Sequence, residues 1–213
     1  WGNSFNLPGG LPRRVLHTGS QFIALGLTTA GHAAVWTSPD GLAWSVRGVN
    51  FDWRALARSA AGQIVALPSG DRTATSSDAG VTWTFGAALP NAADAFIDLA
   101  WYAERSQFLA VVQEGPDRYL HASSDGLSWA RGAVLPVHSV FGASPSLLVV
   151  AGSGVATSVD GVTWTPGTPL TLNGVLFDLR WLGSLFVGVG ANGTIVTSSD
   201  GLDWTARTCG STA

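Results

Sequence analysis

Short apolar runs alternate along this chain with turns rich in Gly, Ser and Asp, about one turn every ten residues. Five of the runs align: Gln21-Phe22-Ile23-Ala24-Leu25, Gln63-Ile64-Val65-Ala66-Leu67, Gln107-Phe108-Leu109-Ala110-Val111, Ser146-Leu147-Leu148-Val149-Val150 and Ser184-Leu185-Phe186-Val187-Gly188. They are nearly continuous in apolar residues rather than alternating, the pattern of strands covered on both faces. No window carries a helical period. Around each run the order repeats: one apolar strand before it, a short turn, the run itself, a Gly-rich turn, and a third strand ending in a polar turn closed by tryptophan. In the last copy these strands read 175–181, 185–189 and 194–197, with a fourth from Trp204 to Arg207. The pattern predicts an all-β chain.

The polar turn is the most regular feature. It reads Thr37-Ser38-Pro39-Asp40-Gly41-Leu42-Ala43-Trp44, then Ser76-Ser77-Asp78-Ala79-Gly80-Val81-Thr82-Trp83. Further copies are Ser123-Ser124-Asp125-Gly126-Leu127-Ser128-Trp129, Thr157-Ser158-Val159-Asp160-Gly161-Val162-Thr163-Trp164 and Thr197-Ser198-Ser199-Asp200-Gly201-Leu202-Asp203-Trp204. A self-similar unit of about 40 residues is the length of one four-stranded propeller blade. The predicted fold is therefore a β-propeller of four-stranded blades. It is read as a single domain over 1–213, with repeats near 13–48, 49–86, 94–132, 137–167 and 174–208.

Turn chemistry explains the repeated residues. An aspartate beside a glycine can accept the amides of a tight turn, and the glycine supplies a positive φ. The preceding Ser or Thr adds a side-chain-to-backbone bond, and the tryptophan folds back onto the blade. Asp40, Gly41 and Trp44, Asp78, Gly80 and Trp83, Asp125, Gly126 and Trp129, Asp160, Gly161 and Trp164, and Asp200, Gly201 and Trp204 are thus expected as structural clips, not as a catalytic or metal set.

These turns resemble the Asp-box of the bacterial neuraminidase repeat family, Ser-x-Asp-x-Gly-x-x-Trp. Only Ser76-x-Asp78-x-Gly80-x-x-Trp83 has the full spacing; the other four lack the residue between Asp and Gly. The resemblance spans essentially the whole chain and implies a sialidase-like propeller. It says little about activity, since it takes in sialidases, other glycan hydrolases, sorting receptors and assembly-factor scaffolds of the photosystem II type. The shortened box resembles non-catalytic bacterial propellers, which implies a periplasmic or secreted location.

Charge narrows the function classes. Of 213 residues 12% are charged and the net charge is -3, with no basic stripe, so phosphate-driven nucleic-acid binding is not expected. No apolar run approaches the roughly 18 residues of a membrane span. The single cysteine, Cys209, cannot form an internal disulfide and reads as an incidental thiol.

The chain opens on Trp1 rather than methionine, and Trp1 is in phase with the box tryptophans. Residues 1–12 thus read as a fourth strand without its first three. Two explanations stay open: a piece of a longer repeat protein, preferred here, or a strand that closes the last blade.

Candidate chemistry is sparse. Asp71, Arg72, Glu114, Asp117 and Arg118 sit in the turns between second and third strands and form the candidate binding face. A sialidase needs a tyrosine nucleophile with a supporting glutamate, yet the only such residues are Tyr102, Tyr119, Glu104 and Glu114. Arg14, Arg54 and Arg180 fall at first-strand positions near a channel and suit a carboxylate clamp. Asp98 and Asp178 are the best carboxylate pair for a glycosidase, although both occur in a repeated Asp-Leu-x-Trp, which favours structure. His17, His32, His121 and His138 lack ligand spacing, so no metal and no cofactor are expected. Asn192-Gly193-Thr194 reads as a turn. The leading expectation is a non-catalytic module for a protein partner or larger assembly. The alternative is a glycan-binding or glycan-hydrolysing propeller, motivated by Trp36, Trp53, Trp101 and Trp181 outside the boxes.

Overall fold

The computed structural model describes residues 10–47, 53–68, 72–88, 95–136, 140–152, 154–168, 170 and 175–207; for 13, 14, 53, 54, 68 and 95 it describes the backbone alone. Within these residues the chain forms five antiparallel four-stranded sheets in a propeller arrangement, with no α-helix. Blade 1 is β1 (Gly10–His17), β2 (Phe22–Thr28), β3 (Ala33–Ser38) and β4 (Ser45–Arg47); blade 2 is β5 (Trp53–Arg58), β6 (Ile64–Pro68), β7 (Arg72–Ser76) and β8 (Thr84–Ala88). Blade 3 is β9 (Ala95–Tyr102), β10 (Gln107–Glu114), β11 (Asp117–Ser123) and β12 (Ala130–Val134). Blade 4 is β13 (Val140–Ala143), β14 (Leu148–Ala151), β15 (Val155–Ser158) and β16 (Thr165–Pro166). Blade 5 is β17 (Leu176–Trp181), β18 (Phe186–Gly190), β19 (Ile195–Ser198) and β20 (Thr205–Arg207). The N-terminal strand expected over residues 1–12 lies mostly outside the described residues.

The continuous apolar character of the second strands has a direct cause. Alternate residues of one strand enter the cores on its two sides. In β10, Phe108, Ala110 and Val112 pack with Val65 and Leu67 of blade 2, while Leu109 and Val111 pack with Phe141, Leu148 and Val150 of blade 4. Equivalent cores join blades 1 and 2 through Ile23, Leu25, Ile64 and Ala66, and blades 4 and 5 through Val149, Ala151, Leu176 and Leu179. Each blade–blade contact is therefore a small hydrophobic core of its own.

The clip turns satisfy their own backbone and also lock one blade to the next. In blade 3 the Asp125 carboxylate accepts the amides of Leu127 and Ser128, each at 2.8 Å, and the Ser123 hydroxyl. Ser123 Oγ in turn accepts the Gly126 amide at 2.8 Å. The same bonds recur around Asp40, Asp160 and Asp200. The hydroxyl comes from the serine two places before the aspartate; the residue between them varies. The extra residue in blade 2, Ala79, is absorbed at φ +58, and Asp78 then reaches Val81 and Thr82, one position further on. The clip tryptophans donate to their own glycine carbonyls in blades 1, 2, 3 and 5. Trp164 Nε1 is buried without such a partner.

Contacts across the blade boundary were not legible from the repeats. The Gln21 and Gln63 amides donate to the carbonyls of Ala79 and Asp125 in the next blade's turn. Tyr102 replaces that device in blade 3, its hydroxyl donating to the Val159 carbonyl at 2.9 Å. Removing that hydroxyl while keeping the ring, as in Tyr102→Phe, is expected to lower stability by about 1 kcal/mol. Urea unfolding checks this, and an unchanged midpoint would show that the bond contributes nothing.

The amide cradle also sets the acid behaviour. The Thr163 amide, then the Val162 amide and Ser158 hydroxyl, hold the Asp160 carboxyl at about 2. Burial alone would raise Asp78, but the Thr82 hydroxyl and amide, Ser76 and Val81 together hold it at about 2. A carboxyl with a lowered folded pKa stabilises fully above its unfolded value near 4 and loses that contribution as pH falls through the folded value. The clips are thus expected to give way between about pH 4 and pH 2. Circular dichroism across that range checks it. An acid transition of the same size in Asp160→Asn, whose clip cannot titrate, would contradict it.

Candidate functional site

The first strands of all five blades run side by side around a central channel of about 500 Å³. Their pairing with the second strands puts residues in layers. Arg58, Trp101, Ala143 and Trp181 pair with Ile64, Phe108, Leu148 and Phe186 and form one layer, and His17 holds the equivalent place opposite Phe22. This layer lies toward the face carrying the clip turns, because β1–β2-type turns and clips leave the same end of each blade. Trp101 packs edge-on against Phe108, and Trp181 packs at a tilt against Phe186, each with ring centroids 4.8 Å apart. Both indoles are thereby held as walls of the channel.

Two donors in this layer have no acceptor. Arg58 Nε and Trp101 Nε1 are buried atoms without a hydrogen-bond partner among the described residues. A buried unsatisfied donor costs about 1–3 kcal/mol. Here both belong to side chains that line the same cavity, on adjacent blades. A Cβ built on Gly62 would lie 3.3 Å from Arg58 Nη2, so the guanidinium reaches back over the β5–β6 turn.

Further along the channel sits an ion pair. Arg180 Nη2 lies 3.0 Å from Asp178 Oδ1 on its own strand and 3.4 Å from Asp98 Oδ1 of blade 3. The bridge thus links blade 5 to blade 3, with blade 4 between them in the chain order. Each carboxylate also accepts the amide of the residue after it, Leu99 at 2.8 Å and Leu179 at 2.9 Å. Both aspartates sit at a β-bulge, where Ile97 and Phe177 are left without a partner in the ladder. The same bulge occurs at Arg13 in β1 and Arg54 in β5. Bulges re-aim side chains, and here they turn the two aspartates onto one guanidinium. The pair considered for glycosidic chemistry is thus engaged by a cation. The side chains of Arg14 and Arg54 lie outside the described residues, so of the arginine clamp only Arg180 is placed in the channel wall.

The expected binding face on the second-to-third turns is partly placed. Glu114, Asp117 and Arg118 come together at the β10–β11 turn, Arg72 is exposed at the start of β7, and Asp71 lies outside the described residues. The side chains there are tied to one another. Arg118 Nε donates to Gln113 Oε1 at 3.0 Å, and Gln113 Nε2 donates to the Gly115 and Asp117 carbonyls. The Glu114 carboxylate holds His121 Nε2 on one oxygen and Arg131 Nε on the other, both at 2.9 Å. Arg131 stacks on the Tyr119 ring with its guanidinium carbon 3.5 Å from the centroid. So Tyr119 and Glu114 do meet, but through an arginine.

Burial pushes His121 below the ordinary histidine range, against the pull of Glu114. The ring is therefore neutral, with Nε2–H donating to Glu114 and Nδ1 buried without a partner. A histidine whose folded pKa is lowered stabilises fully above about pH 6.5 and loses that contribution as pH falls through the folded value. The melting temperature is expected to drop between pH 7 and 5, and less so in His121→Gln. An equal drop in both proteins would contradict the assignment. This window lies above that of the clip aspartates.

Among the described residues no three His, Cys, Asp or Glu side chains are arranged to hold a metal ion. His138 and Cys209 are outside them. No described helix is long and apolar enough to cross a membrane.

No protein-family model matches the chain, and no curated protein matches it in sequence. Solved structures do share its fold. YCF48 bound to D1 peptide superposes with a TM-score of 0.67 at 14% identity, over 92% of this chain and 66% of that one. YCF48 from Cyanidioschyzon merolae gives 0.67 at 11% identity, over 95% and 73%. Virginiamycin B lyase from Staphylococcus aureus gives 0.75 at 11% identity, over 96% and 71%. The chain thus spans between 66% and 73% of the length of these three structures. One fold here serves a protein with a bound peptide and a lyase, and at these identities the likeness concerns the fold alone.

Proposed function

We propose that this propeller is a non-catalytic interaction module that seats a protein segment in its central channel by the segment's C-terminal carboxylate. The observation that carries the reading is that Arg58 and Trp101, on neighbouring blades, line one cavity and that each keeps a buried donor, Nε and Nε1, without a partner among the described residues. A carboxylate carries two acceptor oxygens, and hydrogen bonds to a charged group are the stronger kind. Arg180, with Asp98 and Asp178 already on it, serves as an internal brace. Trp101 and Trp181 offer apolar flanks to the residues next to that carboxylate. The D1 peptide on YCF48 is a precedent on the same fold for a peptide ligand.

The clip turns belong to the same proposal. Their serine, aspartate, glycine and tryptophan geometry supports reading them as Asp-boxes of the bacterial neuraminidase repeat, used as structure. An extracytoplasmic location, as that repeat implies, is tested by fractionating source cells; recovery in the cytoplasm alone would overturn it.

The test is an array of immobilised random octapeptides, each with a free C-terminal carboxylate and again as the amide. Retention of a subset of the free-acid forms, lost on Arg58→Gln, is the expected result. Equal retention of amides, or retention indifferent to Arg58, would overturn the reading. The arm with sugars is direct: hydrolysis of a glycan panel by the purified chain would replace this module with an enzyme.

A further inference from the structure

Blade 4 departs from its neighbours inside the channel. Trp101 of blade 3 packs on the core shared with blade 2, and Trp181 of blade 5 on the core shared with blade 4. Each indole thus fills the groove between its own first strand and the one before it. Ala143 holds the same place in blade 4, against the core shared with blade 3, and puts a methyl where its neighbours put a ring. Blade 3 contributes another small residue there, since Ala100 packs on the same core and lines the same channel. Among the described residues of the channel wall, blade 4 supplies Ala143 alone.

On the other side of β13 the packing is tight: a Cβ on Gly142 would meet the Leu179 side chain of blade 5 at 2.9 Å. Between blades 3 and 4 the channel instead keeps a recess at two alanines, backed by the buried Tyr102, Phe141 and Leu148. The indoles of Trp101 and Trp181 stand on the blades flanking β13. Further along the channel the charges are engaged with one another, Arg180 with Asp98 and Asp178. The recess therefore presents hydrocarbon and indole. An apolar group gains by entering it, whereas a charged one loses its hydration without a partner.

We propose that this recess selects a large apolar residue, such as leucine or phenylalanine, as the last residue of the segment whose carboxylate sits at Arg58 and Trp101. This selectivity rests on the carboxylate seat described above and adds a specificity-determining residue to it, Ala143. A carboxylate held by Trp101 Nε1 brings the last side chain beside that indole, and blade 4 is the next blade on. The seat and the recess lie on blades 2 to 5, which follow one another in the chain.

The probes are pools of octapeptides with a free C-terminal carboxylate, fixed as Gly, Leu, Phe or Lys at the last position and random elsewhere. The unmodified chain is expected to retain the Leu and Phe pools about tenfold more than the Gly and Lys pools, the factor for burying one apolar side chain. Ala143→Leu fills the recess. It should bring the Leu and Phe pools down to the level of the Gly pool, which stays unchanged and still needs its free carboxylate. Ala143→Gly leaves the recess open and should keep the preference; circular dichroism establishes that both variants are folded. Free-acid pools retained over their amides but without regard to the last residue would overturn the recess and leave the carboxylate seat standing. A Leu and Phe preference untouched by Ala143→Leu would overturn it too. Equal retention of acids and amides in every pool would remove the seat itself, and the selectivity with it.

Discussion

Replacing Gly126 by alanine is expected to cost about 2–5 kcal/mol, a large share of the roughly 5–15 kcal/mol that holds an ordinary domain folded. Two independent effects combine at this residue. Its φ of +71 lies in the left-handed region, where a Cβ costs about 1–2 kcal/mol. The new methyl would also overlap the Val65 and Thr75 side chains of blade 2, and overpacking of a filled core costs about 1–3 kcal/mol. Gly31 separates the two effects. It has φ +80 with open space around its Cβ position, so Gly31→Ala should cost only the backbone part, about 1–2 kcal/mol. Urea unfolding of the two variants gives the difference directly. Equal losses would mean that the clip glycine does not seat against the preceding blade.

Phe108→Ala should be at least as damaging, at about 3–5 kcal/mol. Phe108 is fully buried in the core between blades 2 and 3, among Val65, Leu67 and Leu99. Its ring also supports the edge of Trp101, so a cavity there frees the indole that walls the channel. The variant is therefore expected to lose stability and channel binding together. Leu109→Ala, one residue along, faces blade 4 instead and should lower stability by about 2–5 kcal/mol without touching the indole. Thermal unfolding with peptide retention on each variant reads both effects. Full retention by Phe108→Ala at a temperature where it is folded would show that Trp101 does not need this support.

The blades were legible because their signals are local. Asp beside Gly fixes each clip turn, the tryptophan marks the start of the fourth strand, and an uninterrupted apolar run marks a strand packed on both faces. Predicted and observed strands in blade 5 agree to about a residue at each end. What lay beyond reach was everything that depends on which residue meets which across a blade boundary. The aspartates Asp98 and Asp178 read as a spaced carboxylate pair; a bulge before each turns them onto Arg180, and a bulge leaves no mark in composition. Gln21 and Gln63 looked like mere first residues of a strand, yet they reach into the next blade's turn. The second-to-third turns drew attention through their charge, and there the charges bond to one another. Arg58 drew none, because it follows an ordinary Ala-Leu-Ala run, and its unsatisfied nitrogen is a property of burial. Arg58 shares its layer with His17, Trp101, Ala143 and Trp181, the residues paired with Phe22, Phe108, Leu148 and Phe186.

The most direct measurement is calorimetric titration of the chain, and of Arg58→Gln, with a peptide retained on the array as free acid and as amide. Saturable binding of the free acid is predicted, weaker by about tenfold or more for the amide and for Arg58→Gln, since a hydrogen bond to a charged group contributes about 1.5–3 kcal/mol. Binding of equal strength in all three cases would place the ligand somewhere other than the channel and contradict a carboxylate seat at Arg58 and Trp101.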